Sequence, residues 1–524
     1  MEGTFWAFMP AIIAIILALV TKQVYVSLFL GIFVGAMMYA GGDPLKALFT
    51  LYQVMSEKVG SNTPIIVFLV VLGILVVLMQ KSGGAKAYGE WAGKKIKSKS
   101  GALAATAGLG CLIFVDDYFN CLTVGSVMRP VTDKFRISRS KLAYIIDATA
   151  APVCIIAPIS SWAAAVAGEL EGDGLMVFIS TIPFNVYAIL TLVMVFTLCF
   201  VNFGYGKMKR NDLITDKTGD VFSGVVSDAA EETVAANPRG KVRHLILPVL
   251  VLIASCIGGM LYTGFFYNWD TGLIGTELQS SNVIEAFSNC DAGMSLAIGS
   301  TVALVIIAAY YMITKTVSFK EVTGSFTEGF KAMVPAILIL TFAWSISGIM
   351  GAKGGYLDAQ AFVESNLAGS NFPQFLFPAI FFIIAGLIAF STGTSWGTFG
   401  VLVPIAVTIL GGSGTMTLIT VSATLGGAVF GDHISPISDT TILASAGAQC
   451  DHVDHVNTQL PYASLIAGIS AVSYVIAGLC ASLGGVLAGV IMWISALALF
   501  AGAVLVIKIF EKKTAKIAPD EISE

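Results

Sequence analysis

The sequence predicts an all-α polytopic membrane protein, and three observations predict it. Of 524 residues, 56% are hydrophobic and only 12% are charged, where a soluble domain carries about a quarter. The charges collect in short blocks separated by long apolar runs. Some of those runs are interrupted by polar clusters that a packed apolar core would not hold.

The runs come first. Ala11–Val20 resumes after Lys22 as Val24–Ala40. Pro64–Gln80, Leu245–Phe266, Met294–Ile313, Met333–Met350, Phe375–Phe390, Ala463–Cys480 and Leu483–Ile507 follow. Most approach the ~20 residues a helix needs to cross the hydrocarbon layer. One such run fits a soluble core; this many in one chain do not. Met1–Pro10 lacks a basic leader, so the first run is expected to be retained rather than cleaved. The eight cysteines are scattered, mostly inside apolar runs, and read as small core residues rather than a disulfide or metal framework.

Charge sets the expected orientation. Lys81–Lys99 holds six lysines, Arg129–Lys141 five basic residues and Lys207–Arg243 seven. Lys315–Lys331 and Lys508–Lys516 are also basic, whereas Asp270–Asp291 has four acids and no Lys or Arg. The positive-inside rule places the basic blocks and the C-terminus in the cytoplasm and Asp270–Asp291 outside. The expected organisation is a membrane half over 1–206, a cytoplasmic linker over 207–243, a second membrane half over 244–510 and a cytoplasmic tail over 511–524.

The halves resemble each other. Each has an amphipathic stretch (Lys46–Lys58; Phe319–Lys331) and then a full span (Pro64–Gln80; Met333–Met350). A Gly/Lys-bearing stretch and an interrupted span follow. Leu122-Thr-Val-Gly125 parallels Gly397-Thr-Phe-Gly400, each with a proline soon after. Ala157-Pro-Ile-Ser-Ser161 parallels Ser435-Pro-Ile-Ser-Asp439. The first amphipathic stretch falls on the outer side and the second on the inner side, the pattern of an inverted-topology repeat.

The interruptions carry the chemistry. In Ile113-Phe-Val-Asp-Asp-Tyr-Phe-Asn-Cys-Leu-Thr123 two carboxylates follow an apolar run with no adjacent base. Burying an ionised carboxylate in hydrocarbon is costly unless a cation or hydrogen bonds offset it. Asp116, Asp117, Asn120 and Thr123 supply oxygen ligands, and Asp116, Asn120 and Thr123 would share one face of a helix. Such ligands suit sodium or a proton. Ser391-Thr-Gly-Thr-Ser-Trp-Gly-Thr398 brings five hydroxyls and two glycines. Thr392, Thr394 and Ser395 are cation candidates there, with Trp396 and Thr398 facing a substrate. Asp147 lies between Arg139 and the prolines Pro152 and Pro158, followed by Ser160, Ser161 and Trp162. It is either an intramembrane carboxylate or a partner of Arg139 or Lys141. In the second half Asp432, His433, Ser435, Ser438 and Asp439 interrupt Gly426–Ser445, where Pro436 denies a continuous helix. Asp432 and Asp439 join the cation candidates; Ser160, Ser161, Trp162, Ser435 and Ser438, with Phe119 and Thr123, join the substrate candidates. His433 and Asp147 are candidate proton relays. Asp451-His452-Val-Asp454-His455 has metal-ligand residue types but is expected in a solvated loop, leaving sodium as the metal to consider. No phosphate-binding glycine loop of the GxxxxGK[ST] form occurs, so ATP-driven transport is not expected.

Gly431–Tyr462 (GDHISPISDTTILASAGAQCDHVDHVNTQLPY) closely resembles the signature of the NhaC family of sodium/proton antiporters, and Phe114–Lys134 fits the same family. The resemblance covers nearly the whole chain. It implies sodium-linked secondary transport in the cell membrane, the inner membrane of a bacterium. It also implies an elevator fold with re-entrant hairpins around Asp116–Met128 and Ser391–Pro404, broken helices at Pro152–Ser161 and Gly431–Asp439, and by analogy a homodimer. The wider family includes carriers of amino and hydroxy acids. Sodium/proton antiport and sodium-coupled movement of an amino or carboxylic acid therefore both stand. Phe119, Trp162 and Trp396 slightly favour an organic solute. No cofactor beyond the coupling sodium and no nucleic-acid partner is expected. A membrane metalloenzyme using His433 is the remote alternative.

Overall fold

The computed structural model describes residues 3–21, 23–170, 174–201, 203–224, 237–268, 273–275, 277–283, 286, 290–350, 356–359, 361–362, 373–411 and 414–517. The side chains of residues 18, 19, 24, 119, 122, 126, 292, 335, 336, 347, 439 and 510–517 are outside that description. The Gly/Lys-bearing stretch 351–355, expected as the second-half counterpart of Lys81–Lys99, also lies outside it.

The protein is all-helical apart from one two-residue antiparallel pairing, Tyr267–Asn268 with Leu273–Ile274, among the described residues. Six described helices are long and apolar enough to cross a membrane, or nine if each bent pair counts as one span. This is an integral, multi-pass membrane protein. The first helices are α1 (Met9–Thr21), α2 (Val24–Tyr39) and α3 (Pro44–Ser61). Asp43 accepts from the Leu45 and Lys46 amides and Pro44 opens α3, so the chain restarts there at 120° to α2. Then come α4 (Thr63–Lys81), α5 (Gly84–Lys95), α6 (Lys99–Leu112), α7 (Asp117–Lys134), α8 (Arg139–Cys154), α9 (Ser161–Ala167), α10 (Gly174–Thr181) and α11 (Val186–Phe200).

The expected linker begins with a helix, α12 (Gly206–Thr218), that is fastened to the membrane helices. Asp212 takes Lys141 as an ion-pair partner and accepts from Ser138 Oγ at 2.8 Å. Asn211 Nδ2 reaches Ser140 Oγ at 3.0 Å and Asp454 Oδ2 at 2.8 Å. Residues 225–236 of the linker lie outside the described residues.

The second half comprises α13 (Arg243–Phe266), α14 (Ala292–Ile313), α15 (Phe319–Met350), α16 (Phe377–Thr392), α17 (Ser395–Leu410), α18 (Thr415–Ile434), α19 (Asp439–Ala448), α20 (His452–Cys480) and α21 (Gly485–Ile517). The amphipathic stretch Phe319–Lys331 and the following span are one helix, α15. Ser318 and Glu321 start it with a reciprocal cap: the Ser318 amide donates to Glu321 Oε2 at 2.7 Å, and the Glu321 amide to Ser318 Oγ at 3.3 Å.

Packing sorts the helices. The main apolar core takes in residues of every helix from α4 to α21. A second cluster joins α1–α3 to the C-terminal end of α15, with Val401 of α17 reaching into it. Inside the main core, α7 of the first half crosses α19 of the second at glycines. A Cβ on Gly125 would lie 2.3 Å from the Gly447 carbonyl carbon, and one on Gly447 2.5 Å from the Cys121 oxygen.

Candidate functional site

Four breaks in helical structure meet around buried polar side chains. Two are turns between paired helices, at Ile113–Asp116 between α6 and α7 and at Gly393–Thr394 between α16 and α17. Two are interruptions between successive helices, Ile155–Ser160 between α8 and α9 and Ser435–Ser438 between α18 and α19. The interruptions fall where Pro158 and Pro436 withhold a donor. Pro152, also expected to break the first stretch, is instead carried inside α8. The first turn is displaced from its expected place. It precedes Asp117, and 117–134 runs as one helix, so Asp116 stands before α7 rather than on a face shared with Asn120 and Thr123. Its carbonyl accepts the Asn120 amide at 3.0 Å.

The first corner is built on Asn120. The end of α6 leaves carbonyls without helical partners. Asn120 Nδ2 bonds to Gly110 O at 2.7 Å, Ile113 O at 2.9 Å and Thr149 O on α8 at 3.1 Å. The Ser161 amide, opening α9, donates to Val115 O at 2.9 Å. These bonds fix Asp117 at the head of α7, fully buried. Its Oδ2 accepts from Trp162 Nε1 at 3.0 Å, and its Oδ1 from the Tyr118 amide at 3.2 Å. Trp162, Trp396 and Phe399 close over it, with ring centroids 5.0–5.7 Å apart. Two adjacent carboxyls, Asp116 and Asp117, both buried, repel each other when ionised, which favours a bound cation or a held proton.

The second corner is built on Gly393. Its φ of +67° turns α16 toward α17, and a Cβ there would lie 2.3 Å from Ile437 O. Ser435 Oγ donates to Phe390 O at 2.7 Å, pinning the turn to the α18–α19 break. Asp432 Oδ2 accepts from Thr440 Oγ1 at 2.8 Å and Ser395 Oγ at 3.4 Å. Thr441 Oγ1 then joins the halves: it lies 3.3 Å from Asp432 O and 3.1 Å from Asp147 Oδ2 on α8. Gln459 Nε2 reaches the same Asp147 oxygen at 2.6 Å and His433 O at 2.7 Å. His455 Nε2 stands 3.4 Å from Asp147 Oδ2, and Tyr187 Oη 2.9 Å from His433 Nδ1.

These contacts decide several sequence expectations. Asp147 is fully buried in the protein, and neither basic residue is its partner: Arg139 pairs with Asp133 and Lys141 with Asp212. Asp117, Trp162 and Trp396 come together, as do Ser395 and Asp432. Thr392 does not join them: its hydroxyl bonds back to Ile388 O, and it lines a gap with Ala14, Leu28 and Val401. Ser160, Thr394 and Ser438 cap α9, α17 and α19. Thr398 bonds back to Thr394 O at 2.9 Å. Thr123 is buried within α7. The side chains of Phe119 and Asp439 lie outside the described residues. The solvated-loop reading of Asp451–His455 is overturned. Asp451 caps α20, and His455 is fully buried beside Asp147, a second buried histidine near His433. Thr440, Thr441, Gln459, His455 and Tyr187 were not read as site residues. Thr440 and Thr441 follow Asp439 directly, and Gln459 lies on the buried face of His455, a helical signal present in the sequence.

A family model described as the Na+/H+ antiporter family matches residues 163–479. An uncharacterized protein of Haemophilus influenzae is 38% identical over 496 residues, 91% of each chain. The Malate-2H(+)/Na(+)-lactate antiporter of Bacillus subtilis is 32% identical over 166 residues, 31% of this chain and 33% of that one. Among solved structures, the Alcanivorax borkumensis YdaH transporter covers 88% of this chain and 98% of its own at 15% identity, with a TM-score of 0.47. The chain belongs to the Na+/H+ antiporter family.

Proposed function

We propose that this antiporter-family member is a sodium-coupled carrier of the NhaC type, and that sodium and protons compete at the carboxylates of the two corners. The observation that carries the reading is the setting of Asp432. A buried carboxylate, with Ser395 from the α16–α17 turn and Thr440 from the start of α19 donating to one oxygen, offers the hard oxygen ligands sodium requires. Asp147, joined to it through Thr441, supplies a second carboxylate within the same network. His433, His455 and Tyr187 give protons a route.

The paired turns and breaks, one set from each half, support an inverted repeat in which α6–α9 and α16–α19 move as one elevator body. Placement in a bacterial inner membrane, a cytoplasmic C-terminus and a homodimer belong to the same reading. The test is reconstitution in liposomes carrying an internal pH dye. A sodium pulse without organic solute moves protons if the reading holds; an unchanged internal pH overturns it.

A second reading rests on the first corner. Three aromatic rings over Asp117 give more apolar wall than a bare ion needs, and a pocket of that kind suits a small organic solute or its ammonium group. The matching Bacillus subtilis antiporter carries malate and lactate in its name. A thermal-shift screen of amino and hydroxy acids decides it: stabilisation that requires both one acid and sodium favours this reading.

A further inference from the structure

Outside both corners, one buried carboxyl has no role yet. Glu169 lies just past the Gly168 cap of α9, is 8% exposed, and neither of its side-chain oxygens has a hydrogen-bond partner. The indole N–H of Trp344 is likewise buried without a partner. It sits 3.1 Å from where a Cβ on Gly168, the residue before Glu169, would lie. A Cβ on Gly400 of α17 would lie 3.8 Å from Glu169 Oε1 and 2.9 Å from the Ala343 methyl of α15. Glu169 thus stands at a seam. On one side are α9 and α17, which carry Trp162 and Trp396. On the other is α15, which packs against α2, α3 and α4.

An ionised carboxyl without a single donor is not tolerated in such a place; the neutral acid is. One charge among the described residues acts on it, Lys58 of α3. The Lys58 stem packs within 3 Å of a Cβ built on Gly348 of α15. Glu57, beside it on α3, is exposed and engaged by Gln53 and Tyr356. Tyr356 and Trp344 supply no charge, α17 presents Gly400, and α4 presents Ile65 to Gly168. Glu171 and Asp173 lie outside the described residues.

We propose that Glu169 is a proton-exchanging group of this carrier, distinct from the carboxylates of the two corners. In the conformation described here its carboxyl oxygen holds the proton. When α9 and α17 shift against α15, the seam opens, the proton leaves to water, and the Lys58 ammonium compensates the carboxylate left behind. The inference rests on the proposed antiport. It adds a second titrating position that reports seam opening rather than sodium occupancy.

Infrared difference spectra of the purified full-length protein test it directly, with proteoliposome flux beside them. Wild type is expected to show a protonated carboxyl C=O band at neutral pH, and Glu169→Gln is expected to lack it. The pH at half-maximal flux of Glu169→Gln should move by about one unit, a tenfold change in proton activity, while sodium affinity stays within about twofold at fixed pH. Lys58→Met, which keeps the stem and removes the charge, should move the band's titration to higher pH, because the carboxylate loses its compensating cation. A spectrum in which Glu169→Gln removes no carboxyl band, or a flux profile unchanged by it, overturns the proposal. Wild type that shows the Glu169 band but no sodium-driven flux contradicts the antiport reading alone and leaves the Glu169 assignment supported.

Discussion

The Asp117 and Asp432 corners hold the same functional group in opposite surroundings. Asp117 is covered by Trp162, Trp396 and Phe399, with one indole N–H on its Oδ2. Asp432 meets hydroxyls from two helices and connects through Thr441 to Asp147, Gln459 and His455. The first is an aromatic pocket with few donors; the second is a continuous polar chain across both halves. A desolvated carboxyl with few donors favours its proton, whereas one ringed by oxygens favours a hard cation. On the proposed competition of sodium and protons the two carboxylates need not contribute equally: the second corner would hold sodium more tightly, and the first would also meet any organic group.

The largest expected effect comes from breaking the geometry that makes the second corner. Gly393→Ala places a side chain at φ +67° and drives a methyl toward Ile437 O. It should cost about 2–3 kcal/mol, read as a lower melting temperature in detergent, with sodium no longer stabilising the protein. Next is a crossed pair. Thr440→Val removes the 2.8 Å bond to Asp432. It should weaken sodium binding by about 1.5–3 kcal/mol, the worth of a hydrogen bond to a charged group, and leave any solute response intact. Trp162→Phe should do the reverse through Asp117, again by about 1.5–3 kcal/mol. Titration calorimetry on both variants reads the two responses. Equal loss of sodium affinity in both would erase the distinction between the corners.

A smaller effect tests connectivity. Thr441→Val and Gln459→Leu both remove donors from Asp147 Oδ2. Their effects on sodium affinity should be coupled by about 0.5–3 kcal/mol, whereas Thr441→Val and Trp162→Phe should add. Smallest is Thr398→Val, which removes only a bond back to its own helix. It should change stability by less than about 0.5 kcal/mol.

Much of this was legible in the chain. The spans followed from apolar length, and the second break followed from Pro436 within a polar cluster. The polar cluster Ser391–Thr398 marked the second turn, whereas Asp116–Thr123 lay just past the first, which falls at Ile113–Asp116. What was not legible depended on contacts between distant helices. Asn120 reads as an oxygen ligand, yet its amide serves three carbonyls, two freed at a break seven and ten residues earlier and one on α8. His455 reads as part of a charged loop, yet α20 starts at His452 and turns His455 inward against Asp147. Glu169 is one acid in a polar turn by sequence. Its isolation arises only because α15 and α17 close over it without a donor in reach.

The central claim is that buried carboxylates at the two corners exchange sodium for protons. Sodium-driven proton flux in proteoliposomes of Asp432→Asn, compared with wild type at matched protein content, tests it most directly. The account predicts flux reduced by about a hundredfold, equivalent to some 2.7 kcal/mol, with the variant still folded by its melting curve. Flux at the wild-type rate from Asp432→Asn would contradict it.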